Sequence, residues 1–175
     1  ARIGVGTADS RPKLYVPEET AGNVRRMLAA EGLPGDARFV TVNPFSRWKY
    51  KEWGYGKWVE VLDWILDRYG LPALVVGARE EAEAAMRIAD RCKPGARSVA
   101  GKTTLGELAA LLSRSTLHLG VDSAAPHIAN AVGTATVTIF GPSDWRAWAI
   151  PDATHRVVCP DDSCVPCHKK GCDHT

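Results

Sequence analysis

The sequence predicts an α/β domain built on a doubly wound, Rossmann-like parallel sheet. Short apolar segments rich in β-branched residues alternate with longer segments whose apolar residues recur at helical spacing. Strands that are apolar throughout, each followed by a helix, are typical of a parallel sheet that helices cover on both faces. Hydrophobic residues make up 45% of the 175-residue chain, which is enough to bury a substantial core.

Five short apolar runs are expected to form the strands, and they lie at residues 39–42, 73–77, 97–101, 116–120 and 135–140. A helix is expected before the first strand, at residues 18–31, and one after each of the first four strands. The capping box Thr104-x-x-Glu107 marks the start of the helix that follows the third strand. In the helix after the first strand, one face carries Trp58, Val61, Leu62, Ile65 and Tyr69.

The chain is expected to have three segments. A linker and lead-in helix occupy residues 1–37, the sheet domain occupies 38–150, and a cysteine-rich tail occupies 151–175. The first residues are typical of a linker, so the chain is expected to be a domain of a longer protein. The net charge of +2 argues against binding of nucleic acid by a strongly basic face. No apolar run approaches the roughly 20 residues of a membrane span, and no signal-peptide pattern is present, which favours a cytoplasmic protein.

Four of the five cysteines crowd the C-terminal tail in the pattern C-x4-C-x2-C-x4-C: Cys159, Cys164, Cys167 and Cys172. In a secreted protein this pattern indicates disulfides, and in a cytosolic one it indicates a metal site or reduced thiols. The first three overlap the spacing of plant-type iron–sulfur ligands, but the fourth follows too soon. Tetrahedral zinc is a further candidate, and these interpretations stay open.

Ligands of doubly wound sheets bind beyond the carboxyl ends of the strands, so the loops after residues 42, 77, 120 and 140 are the candidate binding loops. The first of them carries Ser46, Arg47, Lys49 and Lys51, which are placed either to hold a diphosphate or to solvate the loop. The second carries Glu80 and Glu81 at a helix start. Acidic residues at a helix start either stabilise the helix through its dipole or accept hydrogen bonds from a sugar hydroxyl. The residues by themselves favour the first, structural interpretation.

The stretch GVDSAAPHIANAVG, residues 120–133, places His127 in the first turn of a helix. Asp122 or Ser123 is expected to cap this helix, and Pro126 suits its first turn. A helix N-terminus disfavours a charged imidazole but binds phosphate through its free amides. His127 and the amides of residues 123–125 are therefore expected to form an anion site opposite Lys51. The alternative is a buried histidine satisfied by Asp122.

Several runs together, VNPFSRWKYKEW, GAREE, GVDSAAPHIANAVG, IFGPSDWRAW and CVPCHKKGC, resemble the C-terminal half of glycosyltransferase family 9 proteins. These are the bacterial heptosyltransferases of the lipopolysaccharide inner core, and the motifs are most similar to those of the heptosyltransferase III type. The resemblance covers residues 38–172. It implies one half of a B-type glycosyltransferase fold, in which two Rossmann-like domains face a cleft and the C-terminal domain binds the nucleotide-sugar donor, ADP-heptose.

The resemblance also implies roles for individual residues. Lys51 matches the lysine that contacts the phosphates, Glu81 the acid that contacts the ribose, and Asp122 the acid near the heptose. Ala124 stands where glycine is commonest, so a methyl group narrows the approach to phosphate. The full implied set of donor-binding residues is Ser46, Arg47, Lys51, Glu81, Thr103, Asp122, Ser123, Ala124 and His127.

The implied reaction is inverting heptose transfer from ADP-heptose to a lipopolysaccharide core acceptor, with no required metal or other cofactor. The family's general base is an aspartate of the N-terminal domain, which also meets the acceptor, so this chain alone is expected to bind the sugar donor weakly and to catalyse no transfer. A cytoplasmic position, peripheral at the inner face of the inner membrane, is expected. The alternatives are a UDP-sugar transferase or epimerase of the same fold, or a non-catalytic nucleotide-binding module.

Overall fold

The computed structural model describes residues 12–161 and 166–167 and contains a sheet of six parallel strands. The strands are β1 (Val40–Asn43), β2 (Ala73–Val75), β3 (Ala96–Ser98), β4 (Leu117–Val121), β5 (Thr136–Ile139) and β6 (His155–Val158). They are ordered β3-β2-β1-β4-β5-β6, so the order reverses between the central strands β1 and β4. This all-parallel, doubly wound arrangement confirms the predicted fold class.

Six helices accompany the strands within the described residues: α1 (Glu18–Ala30), α2 (Tyr55–Tyr69), α3 (Ala82–Arg91), α4 (Leu105–Arg114), α5 (Ala124–Ala131) and α6 (Trp145–Trp148). Short 3-10 turns precede α2 and α3, at Lys49–Lys51 and Arg79–Glu81. The predicted capping box of α4 is present. The Thr104 hydroxyl accepts from the Glu107 N–H at 3.2 Å, and the Glu107 carboxylate accepts from the Thr104 N–H at 2.9 Å.

Two separate cores cover the two faces of the sheet, because successive strand residues point to opposite faces. Val40 and Val42 of β1 pack against buried residues of α2 and α3. On the other face, Leu74 of β2 packs against buried residues of α1 and α4. Helix α5 contacts α4 as well as β4 and β5, so it lies on the α4 side. The helices that follow β1 and β4 therefore cover opposite faces.

Helix α2 buries Trp58, Leu62 and Ile65 as its spacing predicts, but the inclusion of Tyr69 on this face was wrong. Tyr69 is the last residue of the helix and is 59% exposed. Gly70 ends the helix with a positive φ of 64°, and Tyr69 packs instead against Trp64 on the outer surface. The face thus ends one turn earlier than the sequence pattern indicates.

Strand β6 lies in the segment expected to be a tail, and the sequence predicts no strand there. Its four residues alternate between half-buried and exposed, because β6 pairs only with β5, at the edge of the sheet. An edge strand of this length lacks the continuous apolar run that marks the central strands. On the N-terminal side, Val24 and Leu28 of α1 are buried in the core of the same sheet. Both flanking segments therefore contribute to this domain, while the division at residues 37 and 150 stays a prediction.

None of the helices in the described residues is long and apolar enough to cross a membrane.

His118, the second residue of β4, is fully buried within the sheet. Its Nδ1 lies 3.0 Å from the Thr41 hydroxyl, which donates its own proton to Ser115 at 3.0 Å. The Thr41 oxygen is therefore left to accept from an Nδ1–H, and the ring is neutral. Nε2 has no hydrogen-bond partner among the described residues. Burial lowers the pKa of His118 from 6.5 to about 3.

This buried histidine is expected to make the fold acid-sensitive. Between pH 6.5 and about 3 the unfolded chain binds a proton on the ring that the folded chain excludes, so stability falls as the pH falls below 6.5. His118→Gln should flatten the dependence of the free energy of unfolding on pH in this window. The measurement is urea denaturation at several pH values between 7 and 4.

The matched control is Thr134→Val, which removes a buried hydrogen bond to the Leu112 carbonyl but no titrating group. It should lower stability at every pH and leave the slope of stability against pH equal to that of the wild-type chain. An equal slope for His118→Gln would show that this ring does not cause the acid sensitivity.

Candidate functional site

A cleft of about 640 Å³ opens at the carboxyl ends of the strands, where the strand order reverses between β1 and β4. It forms here because the chain leaves these neighbouring strands toward opposite faces of the sheet, and such a divergence leaves a crevice. The side chains at the two strand ends still touch, since Asn43 Nδ2 donates to Ser123 Oγ at 3.4 Å. The predicted binding loops after β1, β2 and β4 all line this cleft.

The structure brings all nine predicted donor-binding residues to this cleft. They come from four separate segments of the chain, and each lines the same cavity: Ser46, Arg47, Lys51, Glu81, Thr103, Asp122, Ser123, Ala124 and His127. Arg47, Ala124 and His127 are exposed, whereas Ser46 and Asp122 are buried in its walls.

The centre of the cleft is an ion pair between Lys51 and Asp122. Lys51 Nζ lies 2.5 Å from Asp122 Oδ2, and the two side chains are only 13% and 6% exposed. The same carboxylate oxygen accepts a second hydrogen bond from Ser143 Oγ at 2.6 Å. The Lys51 ammonium also lies 4.8 Å from the centre of the Trp48 ring, whose face attracts cations. Lys51 is thus held by two contacts, with Asp122 and with Trp48, before any ligand binds.

The first turn of α5 faces the cleft with its backbone amides uncapped. Ser123 is the N-cap residue, but its side chain makes no capping bond. Its hydroxyl oxygen instead accepts a hydrogen bond from Asn43. The Asp122 carboxylate is turned toward Lys51 and Ser143. The prediction that Asp122 or Ser123 caps the helix was therefore wrong for the side chains. Pro126, which has no N–H, does lie in the first turn. The remaining free amides are available to an anion.

The ring of His127 is exposed, lines the cleft and makes no hydrogen bond within the described residues. The alternative of a buried histidine satisfied by Asp122 was therefore wrong, because Asp122 is already occupied by Lys51 and Ser143. The ring of His127 is free to meet a ligand beside the amides of α5.

Glu81 lies at the wall after β2, where its carboxylate accepts the Ala78 N–H at 2.7 Å. This bond supports the structural role that the residues alone favour, and it also fixes the carboxylate beside the cleft. Gly77 passes directly below it: a Cβ on Gly77 would lie 2.8 Å from Glu81 Oε2 and 2.9 Å from the Phe45 ring. Phe45, after β1, and Glu81, after β2, therefore both lie so close to Gly77 that a side chain at this position would not fit without displacing them.

The end of the cleft away from Lys51 is apolar. Toward β2 and β3 in the strand order, the cleft is lined by apolar side chains: Val76 after β2, Leu105 and Leu108 of α4, and Ile128 of α5. Leu105 is 71% exposed, so its side chain is open to the cleft. The cleft thus runs from a cationic end to an apolar end.

The basic loop after β1 is organised by Glu52, a residue that sequence reasoning missed. The side chain is only 10% exposed. Its carboxylate accepts the Ser46 N–H at 3.0 Å, the Lys49 ammonium at 2.7 Å and the Tyr55 hydroxyl at 3.1 Å. The hydrogen bond to Glu52 raises the pKa of Lys49, and burial followed by the Glu52 charge raises the pKa of Tyr55. Lys49 thus stabilises the loop and does not line the cleft.

Ser143, which follows β5, was also missed. Its sequence context, FGPSDW, contributes to the family resemblance but did not mark Ser143 as a site residue, because the hydroxyl reaches Asp122 only through the register of β4 and β5. The signal that was available is position: residue 143 follows one of the strand ends at which ligands of this fold bind.

The cysteine prediction remains open. Cys159 is exposed and Cys167 half-buried, and both are free thiols, while Cys164 and Cys172 lie outside the described residues. Within the described part of the chain, no group of three or more His, Cys, Asp or Glu side chains is arranged to hold a metal ion.

Comparison with known proteins identifies the family. The family model "Glycosyltransferase family 9 (heptosyltransferase)" matches residues 5–175. Lipopolysaccharide heptosyltransferase 3 of Escherichia coli is 32% identical over 152 residues, which are 84% of this chain and 44% of that protein. The chain belongs to glycosyltransferase family 9. It spans less than half of the length of this family 9 relative.

Solved family 9 structures share the fold. A glycosyltransferase family 9 protein from Veillonella parvula matches with a TM-score of 0.77 at 21% identity, over 89% of this chain and 44% of that chain. E. coli ADP-heptose LPS heptosyltransferase II matches with a TM-score of 0.73 at 21% identity, over 84% of this chain and 45% of that chain. At such identities the similarity shows the fold, and it agrees with the Rossmann-like sheet of this family 9 chain.

Glu52→Gln is expected to destabilise the basic loop. An amide leaves one acceptor oxygen where the carboxylate has two, and it removes the charge that balances Lys49. Loss of hydrogen bonds to a half-buried charged group should lower the free energy of unfolding by about 1–3 kcal/mol. The measurement is chemical denaturation of both chains.

Glu60→Gln is the matched control, because Glu60 is exposed on α2. It should leave the stability within about 0.5 kcal/mol of the wild-type value. Equal stabilities of all three chains would exclude an organising role for Glu52.

Proposed function

We propose that this chain is the domain that binds the nucleotide-sugar donor of an inverting heptosyltransferase. The enzyme would transfer heptose from ADP-heptose to a lipopolysaccharide core acceptor. The observation that carries the proposal is the cleft itself, in which a fixed lysine, the uncapped amides of α5 and an apolar end lie along one cavity. Family membership and the name of the ADP-heptose enzyme with the same fold support the choice of sugar donor.

The diphosphate would bind at the cationic end of the cleft. The free amides of residues 123–125 and the positive end of the α5 dipole favour an anion there. Lys51 and the exposed ring of His127 line the same cleft. As the bond to the sugar breaks, negative charge develops on the departing ADP, and these fixed groups would stabilise it without a required metal.

The nucleoside would extend toward the apolar end. Glu81 is placed to accept hydrogen bonds from ribose hydroxyls through the carboxylate oxygen that the Ala78 amide leaves free. Beyond it, Thr103 and the side chains of Leu105 and Leu108 would cover the planar base. Binding of the base would cover Leu105, which is 71% exposed in the open cleft.

The general base would come from outside this cleft. Among the described residues, the carboxylates that line the cleft are Glu81 and Asp122, and hydrogen-bond donors already hold both. Neither is poised to take a proton from an acceptor hydroxyl. The proposal therefore assigns proton removal and contact with the lipopolysaccharide acceptor to a second domain, at the inner face of the inner membrane. This chain alone would bind the sugar donor without turnover.

Isothermal titration with ADP tests the proposal directly. The wild-type chain should bind ADP, and Lys51→Ala should weaken binding about tenfold or more, because a charge-assisted contact to phosphate is lost. His127→Ala should also weaken binding, and it breaks no ion pair, so it remains informative if Lys51→Ala is unstable.

The control is Lys57→Ala, since Lys57 is exposed on α2 and does not line the cleft. Its affinity for ADP should equal that of the wild-type chain. Unchanged affinity in both Lys51→Ala and His127→Ala would refute the assigned site.

Titration with UDP separates the proposal from the alternative of a UDP-sugar enzyme. ADP should bind more tightly than UDP, because the larger purine covers more of the apolar end of the cleft. Tighter binding of UDP would favour the UDP-sugar alternative. A non-catalytic module is favoured if ADP binds but full-length protein transfers no heptose.

A further inference from the structure

We infer that Ser143 is a positioning residue that lets Lys51 leave Asp122 for the diphosphate of the nucleotide-sugar donor. The inference rests on the proposed function, since it concerns how the same cleft receives its ligand. It concerns a hydroxyl on the loop after β5 that contacts the ion pair but does not itself line the cleft.

Three segments of the chain meet at one carboxylate oxygen. Lys51 comes from the loop after β1, Asp122 follows β4, and Ser143 follows β5. Asp122 Oδ2 accepts from Lys51 Nζ at 2.5 Å and from Ser143 Oγ at 2.6 Å. The second distance is typical of a hydroxyl that donates to an ionised carboxylate, which is a strong hydrogen bond. The Asp122 side chain is only 6% exposed, so water reaches this bond poorly.

The hydroxyl matters because of what happens to Asp122 when a diphosphate binds. In the empty cleft the charges of Lys51 and Asp122 balance each other, and Asp122 is 6% exposed. A phosphate that engages Lys51 takes the ammonium partly away from this carboxylate. A buried carboxylate without hydrogen-bond donors is strongly unfavourable, so the exchange needs a partner that stays behind. Ser143 is that partner.

Removal of the hydroxyl should therefore weaken phosphate binding without changing binding of the base. In Ser143→Ala the carboxylate depends on Lys51 alone, and the release of Lys51 to phosphate becomes more costly. We expect ADP affinity to fall about tenfold, which corresponds to about 1.4 kcal/mol. Ser143→Thr keeps a hydroxyl at the same position and should restore most of the affinity.

The experiment is isothermal titration of this chain with ADP and, separately, with adenosine, which lacks phosphate. Ser143→Ala should lose affinity for ADP and keep the wild-type affinity for adenosine. The matched control is Ser113→Ala, because Ser113 bonds a backbone carbonyl on α4 and does not line the cleft. Equal losses for ADP and adenosine would mean that the loop is merely distorted, which would overturn the inference.

A double-mutant cycle gives the decisive measurement. If Ser143 acts through Lys51, then Ser143→Ala should have little further effect on ADP affinity in a Lys51→Ala background. An equal effect in both backgrounds would overturn the inference while leaving the proposed function intact. Failure of the wild-type chain to bind ADP would overturn the proposed function itself, so the two failures are distinguishable.

Discussion

The ion pair between Lys51 and Asp122 is the interaction on which the shape of the cleft depends. It joins the loop after β1 to the end of β4, the two strands between which the sheet reverses its order. Both side chains are largely buried, and loss of one partner of such a pair typically costs about 3–5 kcal/mol, because a buried charge is left alone. The position of the basic loop is therefore part of the fold. The cleft is organised before a ligand arrives, and organisation in advance reduces the entropy lost on binding.

Helices α4 and α5 begin differently: side chains cap the start of α4, whereas the start of α5, which faces the cleft, has no side-chain cap. The start of α4 has a complete capping box, in which Thr104 and Glu107 exchange hydrogen bonds. The start of α5 has no side-chain cap, although a serine occupies the N-cap position. A missing cap costs about 1 kcal/mol of stability. The chain accepts that loss at the helix whose amides face the cleft, and the same amides would recover it on contact with a phosphate.

The parts of the fold that obey local rules could be predicted from the sequence. The apolar central strands, α1 and the capping box of α4 depend on spacing and on residue type, and the structure confirms them. Strand β6 could not be predicted in this way, because an edge strand is defined by its neighbour β5 more than by its own residues.

The convergence of the nine site residues on one cleft was predicted from strand ends and family resemblance together. The partners of Asp122 could not be predicted, since a carboxylate next to a helix start is more often a cap than half of an ion pair. Glu52 was missed for the same reason: its three hydrogen bonds depend on a loop conformation with no periodic signal.

Gly77 imposes an unequal tolerance to mutation on the walls of the cleft. Any side chain at this position would meet Glu81 and Phe45 at less than van der Waals distance. A side chain at this position is accommodated only if the Glu81 carboxylate and the buried Phe45 ring shift. On the opposite wall, Leu105 is largely exposed and can be exchanged for other residues with little strain. If the cleft binds a nucleoside as proposed, divergence of base preference among such domains is expected to proceed first through the α4 wall, where a substitution displaces no buried ring.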